Sequence, residues 1–294
     1  MTAHQDQAPT SGHRPTPDFV DVGPGLSLAT YRWRGAGRPF VLIHGLASNA
    51  LLWDGVAERL AALGHDVVSV DQRGHGRSTK PDDGYDFATI TNDLAAVLDA
   101  LDLERPVLSG QSWGGNVVVE FASRFPGRTS GIVPLDGGFI SLSERFATWP
   151  ECEAKLAPPR FAGTPAVQFE KWIRDAHPDW PEAGIKGVLA NVEVRHDATV
   201  APWLSFENHI RILRELYGHR PIESCERISD PVLWIVADSD AAWTADKRVG
   251  VQNVHRVLPH SRVEWIVGDH DLHAQHPDRV AALLHDAVRE GFFG

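Results

Sequence analysis

Five residues, Gly110-Gln111-Ser112-Trp113-Gly114, set a serine two positions from a glycine on either side. An apolar run, Pro106-Val107-Leu108, precedes them, and a helical-looking stretch over residues 116–124 follows. A strand before and a helix after predict a tight turn that holds Ser112 at the strand's end, where it can attack a carbonyl carbon. Gly110 and Gly114 allow strand and helix to approach closely while the serine takes a strained backbone conformation. The bare five-residue pattern occurs by chance in many chains, so its meaning comes from these flanking elements.

A serine nucleophile needs a base within hydrogen-bond reach and an acid that orients the base. Such groups collect in loops after apolar runs. His270, in Val267-Gly268-Asp269-His270, is the candidate base. His273 and His276 follow at intervals of three, but no cysteine or carboxylate arrangement supports a metal site, and no metal is expected. Three aspartates compete for the acid: Asp238 and Asp240 after the run 231–237, and Asp136 after the run 131–135. An oxyanion hole needs two backbone N–H groups. Trp113, directly after the serine, and Leu46, in His44-Gly45-Leu46, are the candidates.

The elements that must position these groups alternate along the chain. Strands are expected over 26–33, 39–44, 66–71, 107–110 and 131–135. Helices are expected over 50–63, where Leu52, Val56, Leu60 and Leu63 share a face, and over 87–103. Alternation stops after Gly138 and resumes with a strand over 231–237, a helix over 244–258, a strand over 262–267 and a helix over 277–290. This is an α/β pattern: a mostly parallel, doubly wound sheet with helices on both faces. Residues 141–228 hold helical segments, prolines and tryptophans but no clear buried strand. They are expected to form a helical cap inserted into a core of 18–140 and 229–294. Residues 1–17 are polar and read as a disordered tail without the apolar middle of a signal peptide.

Composition narrows the function. The 294 residues suffice for one large domain with an insertion. A net charge of −11 argues against a nucleic-acid partner, which needs a basic face. No apolar run approaches a membrane span, so a cytoplasmic chain, monomeric or homodimeric, is expected. Cys152 and Cys225 allow one bridge at most, and two free thiols in a reducing cytosol fit equally well.

Across nearly its whole length the chain resembles the α/β-hydrolase superfamily, on four motifs in the family's order. These are His44-Gly45-Leu46-Ala47-Ser48-Asn49, Asp71-Gln72-Arg73-Gly74-His75-Gly76-Arg77-Ser78, the Gly110–Gly114 turn, and Asp269-His270 followed by Pro277. The resemblance implies the α/β-hydrolase fold with a helical cap, a serine–acid–histidine order of Ser112, Asp240 and His270, no cofactor, and a structural role for His75. It favours Asp240 over Asp238, because Asp240 stands three residues past Ala237. Epoxide hydrolases and haloalkane dehalogenases are similar but carry aspartate where this chain has Ser112. Trp113 is similar to the proline iminopeptidases, whose His-Gly-Gly-Pro-Gly loop differs from Leu46 and Ala47 here. A carboxylic ester hydrolase acting on a small aromatic or medium-chain ester is the expected member. Amidase, lactonase, carbon–carbon hydrolase and cofactor-free haloperoxidase chemistry stay open, as does a ligand receptor on the same fold.

Substrate choice is expected to come from the cap. Trp149, Trp172 and Trp203 are the candidate pocket walls. Arg160, Arg174, Arg195, Arg211 and Arg214 are candidate partners for a substrate carboxylate.

Overall fold

The computed structural model describes residues 15–139, 141–239 and 241–294. The chain opens with strands β1 (Asp18–Gly23), β2 (Leu26–Trp33) and β3 (Pro39–Ile43). Helix α1 (Asp54–Ala62), strand β4 (Asp66–Val70), helix α2 (Phe87–Ala100), strand β5 (Val107–Gln111), helix α3 (Trp113–Arg124) and strand β6 (Gly131–Leu135) follow. Between β6 and the next long strand lie α4 (Leu142–Arg145), α5 (Trp149–Leu156), α6 (Ala166–Ala176) and α7 (Glu182–Leu189). Then come a short hairpin of β7 (Val192–Val194) and β8 (Val200–Pro202), α8 (Phe206–Gly218) and α9 (Pro221–Cys225). The chain closes with β9 (Val232–Asp238), α10 (Ala241–Val257), β10 (Ser261–Val267), α11 (Leu272–Gln275) and α12 (Pro277–Arg289).

Eight strands form one sheet in the order β1-β2-β4-β3-β5-β6-β9-β10. The β1–β2 and β2–β4 pairs are antiparallel, and every other pair is parallel. The period-two geometry of a strand explains why the central runs are apolar throughout. On β3, Val41 and Ile43 face the core beneath α2 and α3, while Phe40 and Leu42 face that beneath α1 and α12. On β9, Trp234 and Val236 go to the first core, and Leu233, Ile235 and Ala237 to the second. Parallel strands align their carboxyl ends, so the loops after β3, β5, β6, β9 and β10 gather at one edge.

Two expectations need correction, and the alternative left open for the cysteines is decided. β1 lies outside the expected strands because only Val20 of its residues is buried, which leaves a weak apolar pattern. The segment 141–228 contains the β7–β8 hairpin. Three-residue strands are too short to show alternation, and Glu193 and Val194 are exposed. Cys152 and Cys225 are both free and buried, packed in separate apolar clusters, and burial pushes the Cys225 thiol up to about 12. The tail expected over 1–17 lies outside the described residues up to residue 14, and Pro15 to Pro17 lead into β1. Among the described residues, no helix is long and apolar enough to cross a membrane.

Candidate functional site

Ser112 stands between β5 and α3 with φ 53° and ψ −120°, a conformation that non-glycine residues rarely adopt. The surroundings over-determine it. The Ser112 N–H donates to the Leu135 carbonyl at 2.9 Å, which ties the turn to β6. A Cβ on Gly110 would lie 2.1 Å from the Gly114 carbonyl oxygen, so strand and helix meet at a distance only glycine permits.

The loop after β3 lies against the serine. A Cβ on Gly45 would stand 3.1 Å from the Ser112 Cβ. Ala47 has φ 59°, and its N–H donates to the His75 Nε2 at 3.2 Å. The opposite nitrogen, Nδ1, donates to the Arg73 carbonyl at 2.9 Å. His75 is therefore neutral, and burial, helped by the neighbouring His44 ring, keeps its pKa well below the ordinary value. Its ring also stacks on Trp113, with centroids 5.6 Å apart. His75 thus braces the loop after β3 and the start of α3 together. The Leu46 and Trp113 N–H groups have no protein partner among the described residues, and at the start of α3 such an N–H is left over by the helix itself.

His270 follows β10. Its Nδ1 lies 2.6 Å from Asp136 Oδ2, and Gln111 Nε2 donates to its backbone carbonyl at 3.3 Å. Asp136 directly follows β6 with φ 45°, and its N–H donates to Ile235 at 2.7 Å. Its carboxylate is buried and fully engaged. Oδ1 accepts from the Ala237 N–H at 3.0 Å, and Oδ2 accepts from both His270 and Lys247 Nζ, the latter at 2.8 Å. Lys247, on α10, also donates to the Ala237 carbonyl at 3.0 Å. Burial alone would push the Asp136 carboxyl up. The His270 and Lys247 hydrogen bonds and charges outweigh it, so Asp136 titrates below the ordinary carboxylate range. For His270, close packing works against the charged form, but the Asp136 hydrogen bond and the Asp271 and Asp136 charges win, leaving its pKa raised. Lys247 opposes that rise.

The acid expected at Asp240 lies outside the described residues. The nitrogen it was expected to orient is occupied by Asp136, the candidate ranked behind it. Asp238 faces away, with its carboxylate 3.5 Å from Arg248. Asp136 directly follows β6 and Asp238 ends β9, and the two strands are hydrogen-bonded neighbours.

A cavity of about 470 Å³ is lined by Ser112, Trp113, Asp136, His270, Lys247 and Trp243, with Gly137, Leu142, Leu156 and Leu216 among its other walls. Of the three expected wall tryptophans, Trp149 packs on Tyr217 and Arg214 elsewhere, and Trp203 sits under Lys80. Neither lines this cavity. Trp172 lines a second, larger cavity, and Leu156 lines both. Sequence reasoning missed Trp243 and Lys247. Both lie on α10, whose helical spacing marks its apolar face but not the turn that reaches the site. Among the described residues, no group of three or more His, Cys, Asp or Glu side chains converges as a metal site.

A family model described as the alpha/beta hydrolase fold matches residues 38–277. The chain belongs to the α/β-hydrolase family. Within this family it is similar to a putative non-heme haloperoxidase of Mycobacterium phage D29, at 38% identity over 102 residues, 35% of this chain and 37% of that protein. A non-heme chloroperoxidase of Streptomyces lividans is 40% identical over 95 residues, 32% of this chain and 34% of that protein. The chain spans about a third of the length of the curated relatives it matches. Among solved structures, E-2-(acetamidomethylene)succinate hydrolase superposes with a TM-score of 0.76 at 22% identity, covering 94% of this chain and 100% of that one. A bromoperoxidase from Bacillus anthracis gives 0.73 at 22% identity, covering 93% and 100%. These α/β-hydrolase neighbours share the sheet and its edge of loops, and at such identities they speak to fold alone.

Proposed function

We propose that this chain is a serine hydrolase that cleaves a carboxylic ester with a small aromatic or medium-chain group. Ser112 acts as nucleophile, His270 as base and Asp136 as the orienting acid, with the Leu46 and Trp113 N–H groups as oxyanion donors. The observation that carries this reading is the 2.6 Å contact between His270 and Asp136 at the wall of a cavity that Ser112 also lines. Residues 141–228 then serve as the cap over that cavity.

The geometry supports two half-reactions. Asp136 accepts a hydrogen bond from the His270 Nδ1–H, which stays on the ring and leaves the lone pair of Nε2 free to take the Ser112 proton. The Ser112 hydroxyl makes no hydrogen bond to His270 among the described residues, and such contacts commonly tighten only once substrate is bound. The Ser112 oxygen bonds to the carbonyl carbon, and the two N–H groups stabilise the oxyanion. The alcohol leaves with the proton from His270. Water then gives a proton to His270 and its hydroxyl to the acyl carbon; the bond to Ser112 breaks, the acid is released, and His270 returns the proton to the Ser112 oxygen.

A fluorophosphonate, which phosphonylates an activated serine, should add one adduct mass to the peptide containing Ser112 and none to the Ser112→Ala protein. Absence of labelling, or labelling that survives the substitution, removes the reading.

The proton balance gives a second expectation. Catalysis needs neutral His270, whose pKa is raised, so kcat/KM should fall on its acid side above the ordinary histidine value. The charged and titrating groups facing His270 are Asp136, Asp271, Lys247 and His273. Lys247 is the cation opposing the raised value. Lys247→Met should therefore move the acid limb to higher pH, as a pH–rate profile would read. An unmoved limb, or one shifted down, contradicts this electrostatic account.

A third concerns His75. His75→Phe keeps an aromatic ring on Trp113 but leaves the Ala47 N–H without its acceptor. Ala47 is exposed, so water can take its N–H and the fold should lose little, but the loop carrying Leu46 loses its tie to His75. We expect kcat to fall about tenfold while the melting curve stays cooperative. An unchanged kcat would leave the brace without consequence for turnover.

A further inference from the structure

The larger cavity, about 900 Å³, opens between Ala47 beside the candidate oxyanion loop and the segment 155–209, and it shares Leu156 with the cavity at Ser112. Its walls are apolar, with Phe161, Phe169, Trp172 and Phe206 among them. Its charged lining has one sign. Lys155, Arg160 and Arg195 line it, and among the described residues no aspartate or glutamate does. That is unexpected in a chain with 39 acidic and 28 basic residues. His209 also lines it, but burial pulls its pKa down to about 4, so it adds no charge near neutrality.

These cations are not used elsewhere. Arg160 lies flat on Phe206, 4.0 Å from the ring centroid, and neither it nor Lys155 has a carboxylate partner among the described residues. Arg195 has no ion pair there either, although the Asp197 charge is near. Three other arginines between 141 and 228 do not line this cavity: Arg174 is paired with Glu170 and Glu182, Arg211 bonds Asn208, and Arg214 lies over Trp149. An unpaired guanidinium fixed against a ring is a prepared carboxylate partner, because its fork of donors is already ordered.

We propose that the substrate is anionic: an ester with an apolar body in the larger cavity and a carboxylate read by Arg160 and Arg195. This rests on the acyl-transfer reading, with the scissile bond at Ser112 and the charged end under the segment 155–209.

Two series of matched esters test it. In one, 4-acetoxybenzoate is compared with its methyl ester, which puts the anion on the leaving alcohol. In the other, nitrophenyl hemiesters of dicarboxylic acids of increasing length are compared with their methyl-capped forms, which puts it on the acyl group. We expect kcat/KM to favour the anionic member about tenfold in at least one series, as two partly solvated charge contacts would give. That ratio should collapse toward one in Arg160→Gln/Arg195→Gln and return in part with Arg160→Lys/Arg195→Lys. Equal or better turnover of the neutral members in both series overturns the inference while leaving the serine mechanism standing. If no ester is turned over, the hydrolase reading fails. Binding of the same compounds to Ser112→Ala, followed by tryptophan fluorescence, then decides the inference: tighter binding of the anions supports it, and equal binding ends it.

Discussion

Ser112→Ala lowers kcat for an activated aryl ester about 10⁶-fold, because a nucleophile cannot be replaced by its neighbours. The residual rate should still exceed that of water alone, since the Leu46 and Trp113 N–H groups and the cavity are untouched. The fold should survive. Removing one hydroxyl that makes no hydrogen bond to His270 costs little, and the strained φ of 53° is imposed by the turn rather than by the serine oxygen. Steady-state assays with a stringently purified variant measure this. A loss below about tenfold would mean that another group attacks the ester, or that the assay reports non-enzymatic hydrolysis.

Asp136→Asn is the second large effect, and it needs a paired variant to be read cleanly. An amide cannot hold the imidazole in the productive tautomer, and the loss expected from that alone is about 10⁴-fold in kcat. The same substitution also strands Lys247, whose side chain is only 7% exposed. Breaking a buried ion pair from one side typically costs about 3–5 kcal/mol, a large part of a domain's stability. Asp136→Asn/Lys247→Met removes the stranded charge and should melt closer to the native protein while keeping the catalytic loss. Asp240→Asn and Asp238→Asn, assayed alongside, should stay within a few-fold of the native rate. If Asp240→Asn instead gives the 10⁴-fold loss, the orienting role belongs to Asp240 and the Asp136 contact is structural.

Much of this was legible in the sequence because strand burial writes itself into composition. Phe40 through Ile43 and Leu233 through Ala237 are apolar at every position because both faces of the sheet are covered. The turn at Ser112 was legible because its glycines answer a steric demand at fixed spacing. Which aspartate meets His270 was not, for a geometric reason. β6 and β9 are hydrogen-bonded neighbours, Leu135 opposite Ile235, so an aspartate just beyond either stands at the same edge. What separates them is the positive φ of Asp136 and the ammonium that α10 brings in from 111 residues away. Neither leaves a local pattern. The wall tryptophans failed similarly: type alone does not say that Trp149 turns to Tyr217 while Trp243 turns to the cavity.

On the proposed mechanism, placing the orienting carboxylate directly after β6 divides labour along the edge of the sheet. Asp136 is clamped by Ala237, Lys247 and His270 one residue past the strand. On that mechanism the turn after β9, which contributes Ser239 to the cavity wall, takes no part in proton handling. Its length and side chains can be rewritten to reshape what the cavity accepts, while the machinery that moves the proton keeps its geometry. Such a scaffold can change its substrate by editing one loop.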